Sequence, residues 1–454
     1  MPVITRDVVI VGAGPSGLTA ATELHKAGLT VAVLEARDRV GGRTWTGDIE
    51  NAMIEIGGQW LSPHHTAALE LVEKLGLKTF SRYRDGESVY LAADGTRQQF
   101  TGDVFPAPAD TAAEIDRLIR LLDGLAAEVG AEQPWAHPLA AELDSIPFSL
   151  WLERQSDNDY ARETVAFFVS GAMLTKPAHT FSTLQALHMA AAQGSYTALA
   201  TDTFMLDKRV IGGMQQVSQR LAAALGDDVH LNSPVRKVRW SQTGVSVFAD
   251  GDLEVRADRV VLAVPPNLYS AISFDPPMPR RRQQMYQHMS FGFVVKVHAV
   301  YPTPFWRAKG LSGTGFSDTD IVSEVYDNTN HDATNGAMVG FIAHEQADAV
   351  FEMSPAERKQ AVLDCLVRYL GPEAADPVVY YESDWGAEEW TRGAYGVSFD
   401  LGGMTRYGRD HRDPVGPIHF CCSDLAGHGF QHVDGAIRMG RRAAAAIVAE
   451  RSLV

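Results

Sequence analysis

Apolar positions along this chain change period from one segment to the next. Near the start, Val8–Val11 is an unbroken apolar run of strand length. It stops at Gly12-Ala13-Gly14-Pro15-Ser16-Gly17. Leu18 to Ala27 then has helical character and runs up to Gly28, a C-cap residue. A second apolar run, Val31–Leu34, ends at Glu35. Further on, Asp110 to Val129 sets Ile115, Leu118, Ile119 and Leu122 on one face of an amphipathic helix. Ser354-Pro355-Ala356-Glu357 reads as a capping box with proline at the first helical position, opening a helix that ends near Gly371. Between Val229 and Val264, strand signals alternate with turns such as Ala249-Asp250-Gly251-Asp252. The sequence contains no repeat and no low-complexity segment.

Composition narrows the class. A chain of 454 residues, 45% of them hydrophobic, can bury the cores of two or three domains. Forty basic against 56 acidic side chains give a net charge of −16, which argues against a nucleic-acid partner. Solubility alone explains that charge, although it also draws cations. Cys365, Cys421 and Cys422 form neither a disulfide framework nor a metal-ligand spacing, so no metal is expected. Cys365 falls on the apolar side of a helix and is expected to be buried and inert. Met1 to Asp7 is too short and polar for a signal peptide, and no apolar run approaches the ~20 residues of a membrane span. A cytoplasmic protein without a membrane partner is expected.

The first sixty residues carry the clearest chemistry. Strand, glycine turn, helix, strand and acid form a dinucleotide-binding βαβ unit. Gly12 permits the tight turn, Gly14 lets backbone approach a pyrophosphate, and Gly17 lets helix and strand pack closely. The helix N-terminus, with Pro15 and Ser16, offers free N–H groups to phosphates. Glu35, about 20 residues past the glycines, can accept bonds from a ribose diol. The fingerprint does not separate NAD from FAD. A second glycine turn, Gly41-Gly42 with Arg43 next, adds N–H groups and a cation after Ala36 and Arg37. A third glycine pair stands in Gly57-Gly58-Gln59-Trp60.

At this point the sequence resembles the FAD-dependent amine oxidases of the monoamine oxidase type. Beyond the blocks just quoted, the resemblance runs through Ile211-Gly212-Gly213-Met214-Gln215, Ser233-Pro234-Val235 and Asp258–Pro266. It continues through Lys296, Trp390-Thr391-Arg392-Gly393-Ala394-Tyr395, Asp424 and Val433-Asp434-Gly435-Ala436, and so covers essentially the whole chain. Within the family the bacterial putrescine oxidases are most similar. The resemblance implies an α/β fold (α+β overall): a Rossmann-like FAD-binding domain and a substrate domain of mixed sheet plus helices. It implies a discontinuous FAD domain, residues 1–78, 206–297 and 388–454, with 79–205 and 298–387 forming the substrate domain. It leaves room for a homodimer. Mitochondrial members carry a C-terminal membrane anchor, and this sequence, ending Ser452-Leu453-Val454, shows none.

The same resemblance assigns roles. Glu35 binds the adenosine ribose, Arg43 lies near phosphate or ribityl oxygens, and Val235 holds the adenine through its backbone. Gly12, Gly14, Pro15, Ser16, Gly17, Ala36, Arg37, Gly42, Gly57, Gly58, Gln59, Trp60 and Trp390 complete the cofactor set. Asp424 replaces a family Glu near the pyrophosphate; one methylene shorter, it favours a water-bridged contact. Val433 opens a helix whose N-terminus faces the flavin. Covalent members have Cys where this chain has Ala394, so non-covalent FAD is expected.

Tyr395 and His432 match the two cage residues that flank the substrate amine. The second is usually Tyr; an imidazole there can titrate near neutrality. The plainer reading of His432 is a helix-entry residue that bonds backbone. Lys296 lies in the apolar strand Phe293-Val294-Val295-Lys296-Val297 and so needs a partner. Family members use it to hold a water at the flavin and assist oxygen reduction; the plainer reading is a snorkelling edge-strand lysine. Glu324, in Ile321-Val322-Ser323-Glu324-Val325-Tyr326, matches the acid that pairs with the far ammonium of a diamine. The plainer reading is a solvent-facing strand Glu, and Asp327 and Glu382 compete for the role.

The expected reaction is oxidation of a primary aliphatic amine, putrescine first, to an aminoaldehyde that cyclises to 1-pyrroline. Ammonia is released and O2 is reduced to peroxide. Three alternatives stay open: an oxidase of a monoamine or other amine such as an amino acid or a nicotine-like ring, a carotenoid-desaturase-like flavoenzyme, and a non-catalytic flavin-binding protein.

Overall fold

The computed structural model describes residues 3–103, 105–201 and 204–451. Met1, Pro2 and residues 452–454, on which the expectations about a leader and an anchor partly rest, lie outside the described residues. The fold is α/β with several mixed sheets and a layer of helices.

Strand Val3–Val11 runs parallel to Val31–Leu34, with Val11 opposite Leu34, and parallel to Leu253–Leu262, with Val11 opposite Leu262. The three carboxyl ends therefore meet at one edge, where the glycine turn crosses. Helix Pro15–Lys26 starts earlier than expected at Leu18, because proline at the first position has no N–H to leave unpaired. Its C-cap is Ala27; Gly28, at φ +82°, is the left-handed residue just beyond. Gly12 has φ +106°, and a Cβ on Gly17 would stand 2.0 Å from the Gly12 carbonyl oxygen. Val8–Val11 is at most 4% exposed. Burying each such side chain stabilises the sheet by roughly 1.5–3 kcal/mol.

These strands belong to an eight-stranded sheet. The expected alternation of strands and turns appears as an antiparallel meander, Val235–Ser241, Gly244–Ala249 and Leu253–Leu262. The last of these leaves the meander at its carboxyl half and pairs with Ile418–Phe420. Helix Val433–Arg451 lies across Pro15–Lys26 so closely that a Cβ on Gly440 would meet the Ser16 carbonyl oxygen at 2.4 Å.

A seven-stranded sheet forms the other body. Its order is Val379–Asp384, Val294–Tyr301, Gly336–Ala343, Glu324–Asp327, Leu311–Ser317, Glu87–Leu91, Arg97–Phe100. Helix Pro355–Leu370 covers it and opens with the expected capping box: Ser354 accepts from the Glu357 N–H while Glu357 accepts from the Ser354 N–H. Cys365 is buried on that helix, and Cys421 and Cys422 are buried and free. Helix Ala109–Val129 buries Ile115, Leu118, Ile119 and Leu122 and packs on Asp159–Val169 and Thr183–Ala192.

Two expected boundaries fall inside structure. Val294–Tyr301 pairs along its whole length with Gly336–Ala343, so a division after Val297 would cut a strand. Lys296 therefore belongs to the seven-stranded sheet, because a strand paired on both sides cannot change sheets midway. Likewise Thr79–Ser81 pairs with Lys208–Val210, which ties together the segments on either side of Lys78. Among the described residues, no helix is long and apolar enough to cross a membrane and no cluster of three or more metal ligands occurs.

Candidate active site

A long cavity runs from the glycine turn to the seven-stranded sheet. The expected residues Gly12, Gly14, Pro15, Ser16, Glu35, Ala36, Arg37, Gly42, Arg43, Gly57, Gly58, Gln59, Trp60, Val235, Trp390 and Val433 all line it. So do Lys296, Glu324, Ala394, Tyr395 and His432. Two expected residues do not: Gly17 and Asp424. Gly17 stays in the turn contact described above.

The phosphate end is built from backbone and paired charge. The Glu35 carboxylate accepts the Ala13 N–H at 2.8 Å and the Arg37 N–H at 3.0 Å, which pins the turn and leaves lone pairs for a ribose. Arg37 in turn binds Glu388 at 3.2 Å and the Thr391 hydroxyl at 2.8 Å. The buried Ser16 hydroxyl finds no partner among the described residues beyond the neighbouring Cys421 thiol. A hydroxyl met only by a thiol, at a helix N-terminus beside a glycine turn, fits a phosphate.

Asp424 stands behind the cavity wall, paired with a residue that lines it. Its side chain is fully buried and clamps Arg43 through both carboxylate oxygens. It also accepts the Val397 N–H at 2.5 Å. The shorter side chain closes on the guanidinium and never reaches the cavity. Arg43 completes the arrangement by donating to the Tyr395 carbonyl at 2.9 Å and the Ser423 hydroxyl at 3.1 Å. Asp424 thus acts on the cavity through Arg43 and the loop that carries Tyr395.

Lys296 lies on a central strand, 5% exposed, and is no snorkelling edge residue. Its ammonium donates to the carbonyls of Glu55 and Gly57 at 2.6 and 2.9 Å and to Gln59 Oε1 at 2.7 Å. Burial lowers its pKa to about 7. All three N–H groups are engaged, so the water expected on this lysine would require one of them to be released.

The far end of the cavity is aromatic. Trp60, Tyr326 and Phe341 contact one another, with ring centroids 5.8–6.3 Å apart, and Phe341 meets Tyr395 at 6.0 Å. Glu324 stands among them, 3% exposed, and accepts the Tyr326 hydroxyl at 2.6 Å. Among the described residues no Lys or Arg pairs with it, and burial raises its pKa to about 7. A solvent-facing Glu324 is excluded. Its competitors are occupied: Asp327 by Trp306 and Arg307 at 2.8 Å, and Glu382 by Arg358 and Tyr380 at 2.6 Å.

His432 departs from expectation in its titration. Burial lowers its pKa to about 4, so the ring is neutral at neutral pH. Its Nδ1 lies 2.9 Å from the Phe430 carbonyl and 3.0 Å from Gln193 Nε2. The ring therefore bonds backbone and faces the cavity at once. Several lining residues escaped sequence reasoning, among them Phe341, Tyr326 and His65. Tyr326 could have been found, because it lies two residues from Glu324 and so on the same strand face. His65, whose ring is 4.8 Å from His432, comes from a loop with no periodic signal.

Comparison with known proteins extends this geometry. The family described as "Flavin containing amine oxidoreductase" matches residues 15–448. Putrescine oxidase from Kocuria rosea is 58% identical, over 99% of this chain and 96% of its own length. The solved structure of a putrescine oxidase bound to putrescine superimposes with a TM-score of 0.97 at 64% identity, covering 99% of this chain and 100% of that one. Cyclohexylamine oxidase from Brevibacterium oxydans IH-35A superimposes with a TM-score of 0.93 at 33% identity, covering 98% and 99%.

Proposed function

The chain belongs to the flavin-containing amine oxidoreductases, and from that premise we propose that it oxidises a short aliphatic diamine, putrescine first. Its reaction is a flavin-dependent amine oxidation and its cofactor is FAD. Bound in the cavity, FAD supplies the two-electron acceptor between amine and O2. The product of putrescine is an aminoaldehyde that closes to 1-pyrroline, with ammonia and peroxide released.

The carrying observation is Glu324, a buried carboxylate that no Lys or Arg among the described residues pairs with. Such a group is costly to ionise alone, and a substrate ammonium offsets that cost. A diamine brings the second charge to Glu324 while its reacting nitrogen sits between Tyr395 and His432. That nitrogen must be neutral to release hydride from its carbon. A free alkylamine has a pKa near ~10.4, and the apolar walls favour its neutral form. A neutral His432 puts no positive charge beside it. A monoamine has nothing to offer Glu324.

The phosphate end holds FAD through Ser16, Arg43 and the helix N-termini, with Glu35 on the ribose. Ala394 lines the cavity with a methyl group, so FAD is held without a covalent bond. Acid precipitation is expected to leave the yellow colour in the supernatant. Three buried free cysteines suit the reducing cytoplasm as its location.

The test is Glu324→Gln, assayed with putrescine and butylamine. The expected result is a fall in kcat/KM of about 30- to 150-fold for putrescine, the scale of about 2–3 kcal/mol, with butylamine changed less than about threefold. Equal loss for both amines would remove Glu324 as the anchor.

A further inference from the structure

Three protein oxygens surround the Lys296 amine: the Glu55 carbonyl at 2.6 Å, the Gly57 carbonyl at 2.9 Å and Gln59 Oε1 at 2.7 Å. The ammonium form alone carries three N–H donors. A neutral amine would turn its lone pair toward one of these oxygens. The Gln59 amide is oriented as a consequence. With Oε1 committed to the lysine, its Nε2 must find an acceptor, and it donates to Asn328 Oδ1 at 2.6 Å.

Asn328 is itself held firmly. It stands one residue past strand Glu324–Asp327, and its N–H donates to the Ala337 carbonyl at 2.7 Å. Its carbonyl accepts from Arg209 at 2.7 Å. Gln59, Asn328 and Lys296 are each at most 5% exposed, so water cannot readily replace a lost partner. The charges facing the lysine are mixed. The buried Glu55 carboxylate favours its charge; Arg209 and His298, the latter two residues along the same strand, face it from other sides. The Trp60 ring lies 5.7 Å from Nζ. With burial and Arg209 set against Glu55, one hydrogen bond can decide between the charged and neutral forms.

We propose that Asn328 is a positioning residue which, by fixing the Gln59 amide, keeps Lys296 in the ammonium form beside the cofactor. One strand then serves both halves of the reaction. Glu324 at its start takes the substrate cation, and Asn328 just past its end secures the positive charge available when oxygen is reduced. The proposal rests on the reading that Lys296 borders the flavin.

The test uses holoenzyme without turnover: the visible flavin absorbance is followed as a function of pH. Wild type is expected to show a spectral titration that Lys296→Met removes. Asn328→Leu should move its midpoint to lower pH by about one unit, the scale of one hydrogen bond to a charged group. Asn328→Asp, which restores an acceptor, should return the midpoint to the wild-type value or above it. The rate constant for reoxidation by O2 should follow the same midpoints. Gln59→Met breaks the same chain from its other end and answers alone if Asn328→Leu does not fold. An unchanged midpoint in Asn328→Leu and Gln59→Met overturns the proposal, as does a shift that persists in the Lys296→Met background. A wild-type titration that survives Lys296→Met overturns instead the placement of Lys296 beside the flavin, and the proposal with it.

Discussion

The two ends of the cavity handle charge in opposite ways. At the phosphate end three charged side chains are already matched: Glu35 by two backbone N–H groups, Arg37 by Glu388, Arg43 by Asp424. What that end offers a ligand is backbone, a helix N-terminus, the buried Ser16 hydroxyl and the Arg43 guanidinium. At the aromatic end a single carboxylate, Glu324, is buried with one hydroxyl and no cation among the described residues. The matched charges hold a shape, and the unmatched one is the group we assign to the substrate. A group that serves structure finds its partner within the protein, whereas the group proposed to select substrate is left incomplete by the fold.

Removing a matched charge should therefore do the most general damage. Asp424→Ala strands Arg43 and frees the Tyr395 loop; the expected loss is about 3–5 kcal/mol of stability, read from denaturant midpoints. Asp424→Asn, which keeps the shape, should lose less. Gly17→Ala attacks the same end through sterics, since its Cβ would meet the Gly12 carbonyl oxygen at 2.0 Å. FAD affinity should fall at least about 100-fold by fluorescence titration, the equivalent of about 3 kcal/mol. Retained affinity would show that the turn can shift as a unit.

The unmatched charge should instead reveal itself through pH. Glu324 has its folded pKa raised to about 7 by burial. The unfolded chain releases this proton near ~4.3. Between those values the folded state binds the extra proton, so stability of the free enzyme falls as pH rises from about 4 to about 7, by about 4 kcal/mol in all. Putrescine should reverse that loss, and Glu324→Gln should flatten it; thermal unfolding at several pH values reads both. Below pH 7 the ratio of the putrescine KM to the butylamine KM should rise up to about tenfold per unit, because the reacting nitrogen titrates alike in both amines. Tyr326→Phe is the mildest change. It removes the one hydroxyl on Glu324 and should cost putrescine about fivefold to tenfold in kcat/KM, about 1 kcal/mol, leaving FAD binding unchanged.

The same contrast explains what could be read in advance. The cofactor end is local: Gly12, Gly14, Ser16, Glu35 and Arg43 lie within one short stretch, and their spacing is their function. The capping box at Ser354 and the buried face of Ala109–Val129 were legible for the same reason, since each is a rule about neighbours in the chain. The aromatic end is assembled from Trp60, Glu324, Tyr326, Phe341, Tyr395 and His432, which meet only after several strands have paired. The pairing of Asp424 with Arg43 could not be read in advance, because the two lie 381 residues apart in the chain. His432 misled because its type suggests titration near neutrality, and burial decided otherwise.

By itself the sequence determined the βαβ unit, the dinucleotide class it serves, the absence of a cysteine at Ala394 and the residue types available for an amine. Those are matters of spacing and side-chain chemistry, which do not wait for folding. Tertiary structure alone decided that Glu324 is buried with no cation paired to it among the described residues, that Lys296 spends all three of its donors on protein oxygens, and that Asp424 answers to Arg43. Burial and partnership are properties of what surrounds a group, and strand pairing brings those surroundings together from distant parts of the chain.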